Sequence, residues 1–338
     1  MARPPGADKG RGKKMESVVN CAIYTPQGRR ERDCTVEEIS DVLPKTEGFV
    51  WIGLHEPGEA LLGKIREEFA LHELAVEDAH RAHQRAKLET YGDGLFIVLK
   101  TAQFRDGGLH FGETHLFLGR RYLITVRHGA SSGYTDVRAR CEEQPALLRH
   151  GSSYALYAIM DRIVDNYAPV VDGFEEELDN IEHLVFEGSF NRATLIRLYH
   201  LRRALVELRL AVVPVIEICN QLIRLHPNLV PDAVRPYFRD IADHATRINE
   251  AIDTMRETLT GAMDVNIAMV TIRQNDVVKR LAGWAGILAL PTLVASVYGM
   301  NFDFMPELRW RWGYPLVLAL TFGACLLLHR RLRRAGWI

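Results

Sequence analysis

Counting back from Gly299 in alternating steps of three and four meets Ser296, Thr292, Ala289, Ala285, Ala282, Val278, Asn275, Thr271, Ala268 and Asp264. A repeat of about 3.5 residues keeps one face of a slightly supercoiled helix turned toward a common axis. Within the apolar stretch this face is small or hydroxylated throughout, and Trp284, Ile287, Leu288 and Leu290 fall off it. The same count runs down through Gly261, Glu257, Thr254, Glu250, Arg247, Asp243 and Asp240, so one helix from about Asp240 to Val297 carries a charged stripe into a small polar one. Just past its upper end stand Gly299, Met300 and Asn301. Asparagine and backbone carbonyls at such a turn form a neutral, oxygen-only donor set, suited to holding a hydrated cation through its waters. Mg2+ sheds water reluctantly and fits that chemistry, and the stripe lacks the thiolates and imidazoles that favour softer ions. The competing reading is a solvated cytosolic face below and tight helix packing above. Polar groups at membrane depth usually face a cavity or partner, which favours a water-lined path for Asn275, Thr292 and Ser296.

Positioning that stripe requires a membrane. LAGWAGILALPTLVASVY, residues 281–298, carries no charge, and at 1.5 Å per residue spans about 27 Å, close to a bilayer core. YPLVLALTFGACLLL, which opens a second predicted span over 314–329, is shorter, but His329 and the following arginines can snorkel while Trp310 and Trp312 sit at the interface. Residues 299–313 form the outer loop between them and 330–338 a basic tail. Lys279 and Arg280 precede the first span, and Arg330, Arg331, Arg333 and Arg334 follow the second, so the positive-inside rule predicts both termini in the cytoplasm. One hairpin cannot enclose water, so conduction demands an oligomer.

Upstream, residues 16–150 mix β-branched and aromatic runs (SVVNCAIYT, GFVWIGLHEP, GLFIVLKTAQF, HLFLGRRYLITVRHG) with the helical pattern EALLGKIREEFALHELAVEDAHR, which predicts a cytosolic α/β domain. Over 151–280 strand signals vanish, and long amphipathic segments predict an antiparallel helical stalk broken near Pro214, Pro227 and Pro231. Residues 1–15 are expected to be a disordered tail. The whole is an α+β membrane protein.

Several functions find no support. A formal net charge of −1 over 338 residues gives no reason to expect nucleic acid as a partner. Gly12-Lys13 lacks the spacing, hydroxyl residue and preceding strand of a phosphate loop, so no nucleotide is expected. His72-Glu73, His80 and His83 do not complete a zinc-hydrolase motif, and no nucleophile elbow or dinucleotide loop occurs, so no enzyme is expected. Cys21, Cys34, Cys141, Cys219 and Cys325 are scattered without a framework and read as reduced thiols.

PTLVASVYGMNFDFMPELRWRWGYPLVL, preceded by RQNDVVK and followed by a basic, Trp-containing tail, resembles the CorA magnesium and cobalt transporter family. The Tyr-Gly-Met-Asn loop, the following Met-Pro-Glu-Leu and the two C-terminal spans are specific together. The resemblance runs over essentially the whole chain in element order, weakly in the first 150 residues. It implies a funnel-shaped homopentamer in the inner membrane that takes up Mg2+, and Co2+ with it. Five copies of the first span would line the pore, with Gly299, Met300 and Asn301 at its outer entrance and Asn275, Thr292 and Ser296 facing it. It also implies regulatory Mg2+ between subunits at acids matching Asp78 in VEDAH and Asp240 in YFRD, with Asp264 in MDVN a further candidate. The family often places bulky apolar residues along the inner pore, whereas this stripe offers Ala282, Ala285 and Ala289. Val278 and Leu281 remain as gate candidates.

An inside-negative potential of about 100 mV favours entry of a divalent cation by about 4.6 kcal/mol, so uptake needs no ATP. Acidic runs such as DGFEEELDNIEHLVFE repel across subunits unless cations neutralise them, which makes low internal Mg2+ the expected opening signal. The alternatives are a zinc transporter of the same two-span superfamily and a membrane-anchored helical scaffold.

Overall fold

The computed structural model describes residues 17–105, 108–187, 191–300, 305 and 310–338. The tail expected at 1–15, and Asn301 with much of its loop, lie outside the described residues. The chain forms two compact units: one takes the residues up to Leu184 together with Asn191–Leu259, the other Val185–Phe190 and Thr260–Ile338.

The first unit is built on a seven-stranded sheet of β1 (Val18–Tyr24), β2 (Arg30–Asp33), β3 (Phe49–His55), β4 (Lys87–Tyr91), β5 (Gly94–Arg105), β6 (Gly108–Gly119) and β7 (Tyr122–Gly129), in the order β2-β1-β3-β7-β6-β5-β4. Only β3 and β7 pair in parallel. Both faces are buried, which is why the strands read as near-continuous apolar runs: Leu95, Ile97 and Leu99 share one face and Phe96 and Val98 the other, all at most 3% exposed. HLFLGRRYLITVRHG resolves into the end of β6 and the whole of β7, turning at Arg120-Arg121. β2 and β4 carried no strand signal. β2 reads RERD and is exposed along its length, so no alternation marks it.

One face of the sheet is covered by α1 (Ile39–Val42), α2 (Glu59–Phe69) and α3 (Glu73–Arg81), whose Leu62, Ile65, Phe69 and Val76 pack with Ile23, Val50, Ile52 and Val126. Burying each such side chain contributes about 1.5–3 kcal/mol. The pattern over 59–81 is two helices because Ala70 turns left-handed (φ 49°) and His72 Nδ1 caps α3 by accepting from the Leu74 N–H at 3.3 Å. His72 also stacks on Tyr91, so it is structural. α4 (Thr135–Glu143), α5 (Pro145–Leu148) and the mostly buried α6 (Ser152–Asp165) follow, and α6 packs on β3, β6 and β7.

The long helices are α7 (Ala168–Phe186), α8 (Arg192–Leu225), α9 (Arg235–Tyr298) and α10 (Gly313–Arg334). Arg197 of α8 pairs bidentately with Glu177 of α7 at 2.7 and 2.8 Å. The break expected near Pro214 is overturned: α8 runs through it. Proline there forfeits one backbone hydrogen bond, but Ala211, Val212, Val215 and Ile218 around it are buried and hold the helix on course. The interruption near Pro227 and Pro231 is present, between Leu225 and Arg235.

The second unit contains α9 from Thr260 onward and all of α10, and both helices are long and apolar enough to cross a membrane. Their most apolar windows are only 6% and 0% buried, whereas a core helix of a soluble protein is mostly buried. α10 continues past residue 329 into the basic residues, ending at Arg334.

Candidate ion pathway and cation cluster

Two sides of α9 differ in what they meet. Gly283 is buried, and Ile287, Leu290, Val294 and Tyr298, which fall on the same side at helical spacing, are half-buried. This side meets α10: the Cys325 thiol lies 3.7 Å from the Ile287 carbonyl, and the rings of Trp284 and His329 are 5.9 Å apart. Asn275, Val278, Leu281, Ala282, Ala285, Ala289, Thr292, Ser296, Gly299 and Met300 are all exposed. At about 100° per residue the stripe is centred roughly half a turn from the side that α10 covers. The Thr292 hydroxyl donates to the Leu288 carbonyl at 2.8 Å, which satisfies its proton inside the helix and leaves its oxygen as an outward acceptor. At the C-terminal end of α9, Gly299 N–H donates to Ala295 O, four residues back, and Met300 N–H to Val297 O, only three back, the tighter winding that ends the helix.

The three acids named from sequence have different surroundings. The Asp78 carboxylate takes the Lys87 ammonium at 2.7 Å, which is shared with Glu89 at 2.9 Å. Asp264 is exposed on α9. Asp240 lies 3.8 Å from His244 Nε2, one turn further along α9.

Asp240 borders a cluster that the sequence reading missed. Asp161, Asp165 and His244 hold one ligand atom each within 4.8 Å of one another, the one such group found among the described residues. Asp161 and Asp165 stand one turn apart on α6, and His244 reaches them from α9. An aromatic contact sets that approach: Tyr237 of α9 lies 4.9 Å from Tyr157 and 5.7 Å from Tyr154, both on α6. Burial raises the Asp161 carboxyl above its ordinary value, and the negative charges of Asp165 and Asp240 push it the same way, while His244 and Arg140 oppose them. Crowded carboxylates of this kind are relieved by a cation. The sequence signal was present as two i,i+4 pairs, Asp161 with Asp165 and Asp240 with His244, but nothing local shows that they meet.

Among known proteins, the family described as CorA-like Mg2+ transporter protein matches residues 46–334. The cobalt/magnesium transport protein CorA of Thermotoga maritima is 32% identical over 99% of this chain and 97% of its own length. A putative metal ion transporter of Bacillus subtilis, YfjQ, is 30% identical over 90% of this chain and 93% of its own. Among solved structures, the complete CorA magnesium transporter of Methanocaldococcus jannaschii superposes with a TM-score of 0.73 at 22% identity, covering 86% of this chain and 92% of that one.

Proposed function

Because the chain belongs to the CorA-like Mg2+ transporter family and is on that ground a magnesium and cobalt transporter rather than an enzyme, we propose that α9 lines its ion path and that several copies, five by family likeness, close around it. The observation that carries this reading is the small, polar face of α9 left exposed on the side opposite α10. A lone polar stripe at membrane depth is costly, and symmetric copies turning it inward around water remove that cost. Val278 and Leu281 are the bulkiest apolar side chains at the base of the stripe and form the narrowest dewettable neck. Gly299, Met300 and Asn301 then form the outer entrance, which recognises the hydrated ion.

The membrane is the cell's inner membrane, with both termini on the cytoplasmic side, and the potential drives divalent cations inward. Asp161, Asp165 and His244, with Asp240 beside them, bind a regulatory cation: the carboxylates suit Mg2+ and the imidazole suits Co2+. Their mutual repulsion without a cation links internal Mg2+ to the closed state. Asp78 and Asp264 act with them across subunit boundaries.

Potential-driven Mg2+ entry into liposomes holding the purified protein tests the reading, beside Zn2+ entry and an Asn301→Ala variant verified to assemble. Mg2+ flux that disappears in the variant supports it. Zn2+ flux alone moves the assignment to the zinc-transporting relatives, and no flux from an inserted oligomer leaves a scaffold.

A further inference from the structure

The sheet brings together two thiols that lie thirteen residues apart in the chain. Ala22 of β1 is directly opposite Asp33 of β2, so the next cross-strand position pairs Cys21 with Cys34, and the Cys34 N–H donates to the Cys21 carbonyl at 3.1 Å. A hydrogen-bonded antiparallel pair holds its Cα atoms about 5.5 Å apart, inside the roughly 4.4–6.8 Å that a disulfide spans. Both side chains point to the same face, into the core beneath α1 and α2, and their sulfurs are 2.8 Å apart. No other pair of thiols occurs among the described residues: Cys141 and Cys219 are buried singly, and Cys325 meets a carbonyl of α9.

We propose that Cys21 and Cys34 form a reversible redox modification site, closed to a disulfide by a hydroperoxide and reopened by a small thiol. Cys34 is the attacking sulfur. Either thiol can donate the hydrogen bond between them; with Cys21 as the donor and Arg32 adding positive charge, the Cys34 thiol is held below its ordinary pKa against the opposing effect of burial. The same hydrogen bond, together with burial, pushes Cys21 up and keeps it a protonated partner. Burial separates the remaining thiols from this chemistry, pushing Cys141 and Cys219 each up to about 12.

The Cys34 thiolate attacks the hydrogen-bearing oxygen of the hydroperoxide; the O–O bond breaks, the alkoxide (hydroxide, from hydrogen peroxide) leaves and takes up the proton that the Cys34 thiol had released, and a sulfenic acid forms on Cys34. The Cys21 sulfur then attacks the Cys34 sulfur, the S–O bond breaks, and the Cys21 proton leaves with the hydroxide as water. Two thiols and one hydroperoxide thus give one disulfide, one water and the reduced peroxide product, a two-electron oxidation of the sulfurs. Closure joins the edge strand and the entry to α1 covalently to β1, around the hairpin loop that connects the strands.

The test is peptide mapping of the full-length protein in detergent, treated with hydrogen peroxide and then alkylated. The expected result is loss of the alkylation adducts at both Cys21 and Cys34, a cross-linked peptide lighter by two hydrogens, and return of both adducts after a thiol reductant. In Cys21→Ser a dimedone-type probe should label Cys34, whereas in Cys34→Ser Cys21 should stay unmodified. Both thiols still alkylating fully after oxidation, or Cys34 passing to sulfinic acid in the wild type without a cross-link, would overturn the proposal. The wild-type map decides by itself if either variant fails to fold.

Discussion

Gly283 of α9 faces Ile338 so closely that a Cβ at position 283 would stand 2.9 Å from the isoleucine Cγ1 and 3.1 Å from its Cδ1. Ile338 reaches that place because Gly336, at φ 73°, closes α10 with paired bonds, its own N–H to Arg333 O and the Trp337 N–H to Leu332 O. Gly283→Leu should therefore overpack the contact and cost about 1–3 kcal/mol. Thermal unfolding in detergent would show a lowered midpoint, with part of the loss regained when Ile338→Ala is added. An unchanged midpoint in the single variant would mean that this approach is not made in the folded protein.

Glu113 is nearly buried on β6, accepting from Lys100 at 2.5 Å, His115 at 2.9 Å and the Gln84 N–H at 3.1 Å. Burial pushes its carboxyl up, but the bonds from His115 and Lys100 more than reverse this and hold it at about 2. The folded value lies below the unfolded value of 4.5, so the stability it supplies is complete above about pH 4.5 and is lost as pH falls toward 2. Denaturant titrations across that interval should show wild-type stability declining more steeply than Glu113→Gln. Parallel slopes would refute the assignment.

Arg138 is buried over the Trp51 ring at 4.3 Å, donating to the Tyr24 hydroxyl at 3.2 Å and to the Trp51 carbonyl at 3.3 Å. Its removal strands buried acceptors, so Arg138→Met should cost about 3 kcal/mol. Arg138→Lys should recover little, since an ammonium cannot stack on the indole and fork to both oxygens at once. Equilibrium unfolding of the three proteins would measure this. A lysine variant as stable as wild type would show that charge alone is what the site needs.

If the cluster on α6 and α9 senses internal cation, Asp161→Asn with Asp165→Asn should leave Mg2+ entry high at internal Mg2+ that shuts the wild type. Asp240→Asn should shift the same curve less, since it borders the group. Liposomes loaded with graded internal Mg2+ provide the readout, and inhibition curves that overlay the wild type would remove the cluster from gating.

A wider side chain on the stripe should obstruct flow where the same change elsewhere does not. Ala285→Leu and Ser296→Leu are expected to reduce Mg2+ flux at least tenfold, roughly 1.4 kcal/mol on the barrier. Leu293→Phe, exposed but off the stripe, should leave it near wild type. Equal effects at all three positions would place the path elsewhere.

Periodicity makes the main elements legible in the chain itself. Four of the seven strands and the end of β6 lie in the runs of β-branched and aromatic residues, and α9 runs from Arg235 to Tyr298 as one helix, close to the extent its heptad stripe implies. The uncharged lengths of the two spans and the small face of the first are likewise local properties of sequence, because a helix sets its own geometry by bonds four residues apart.

What the tertiary structure alone decided are the meetings of residues far apart in the chain. β2 and β4 are strands because neighbours offer them hydrogen bonds, though RERD and KLETY carry no pattern of their own. α8 passes through Pro214 because buried residues on both sides outweigh one lost bond. Asp161 and Asp165 meet His244, and Cys21 meets Cys34, through helix packing in one case and strand register in the other. Neither contact leaves a trace in local composition, since packing and pairing bring together residues whose own neighbours in the chain say nothing of them.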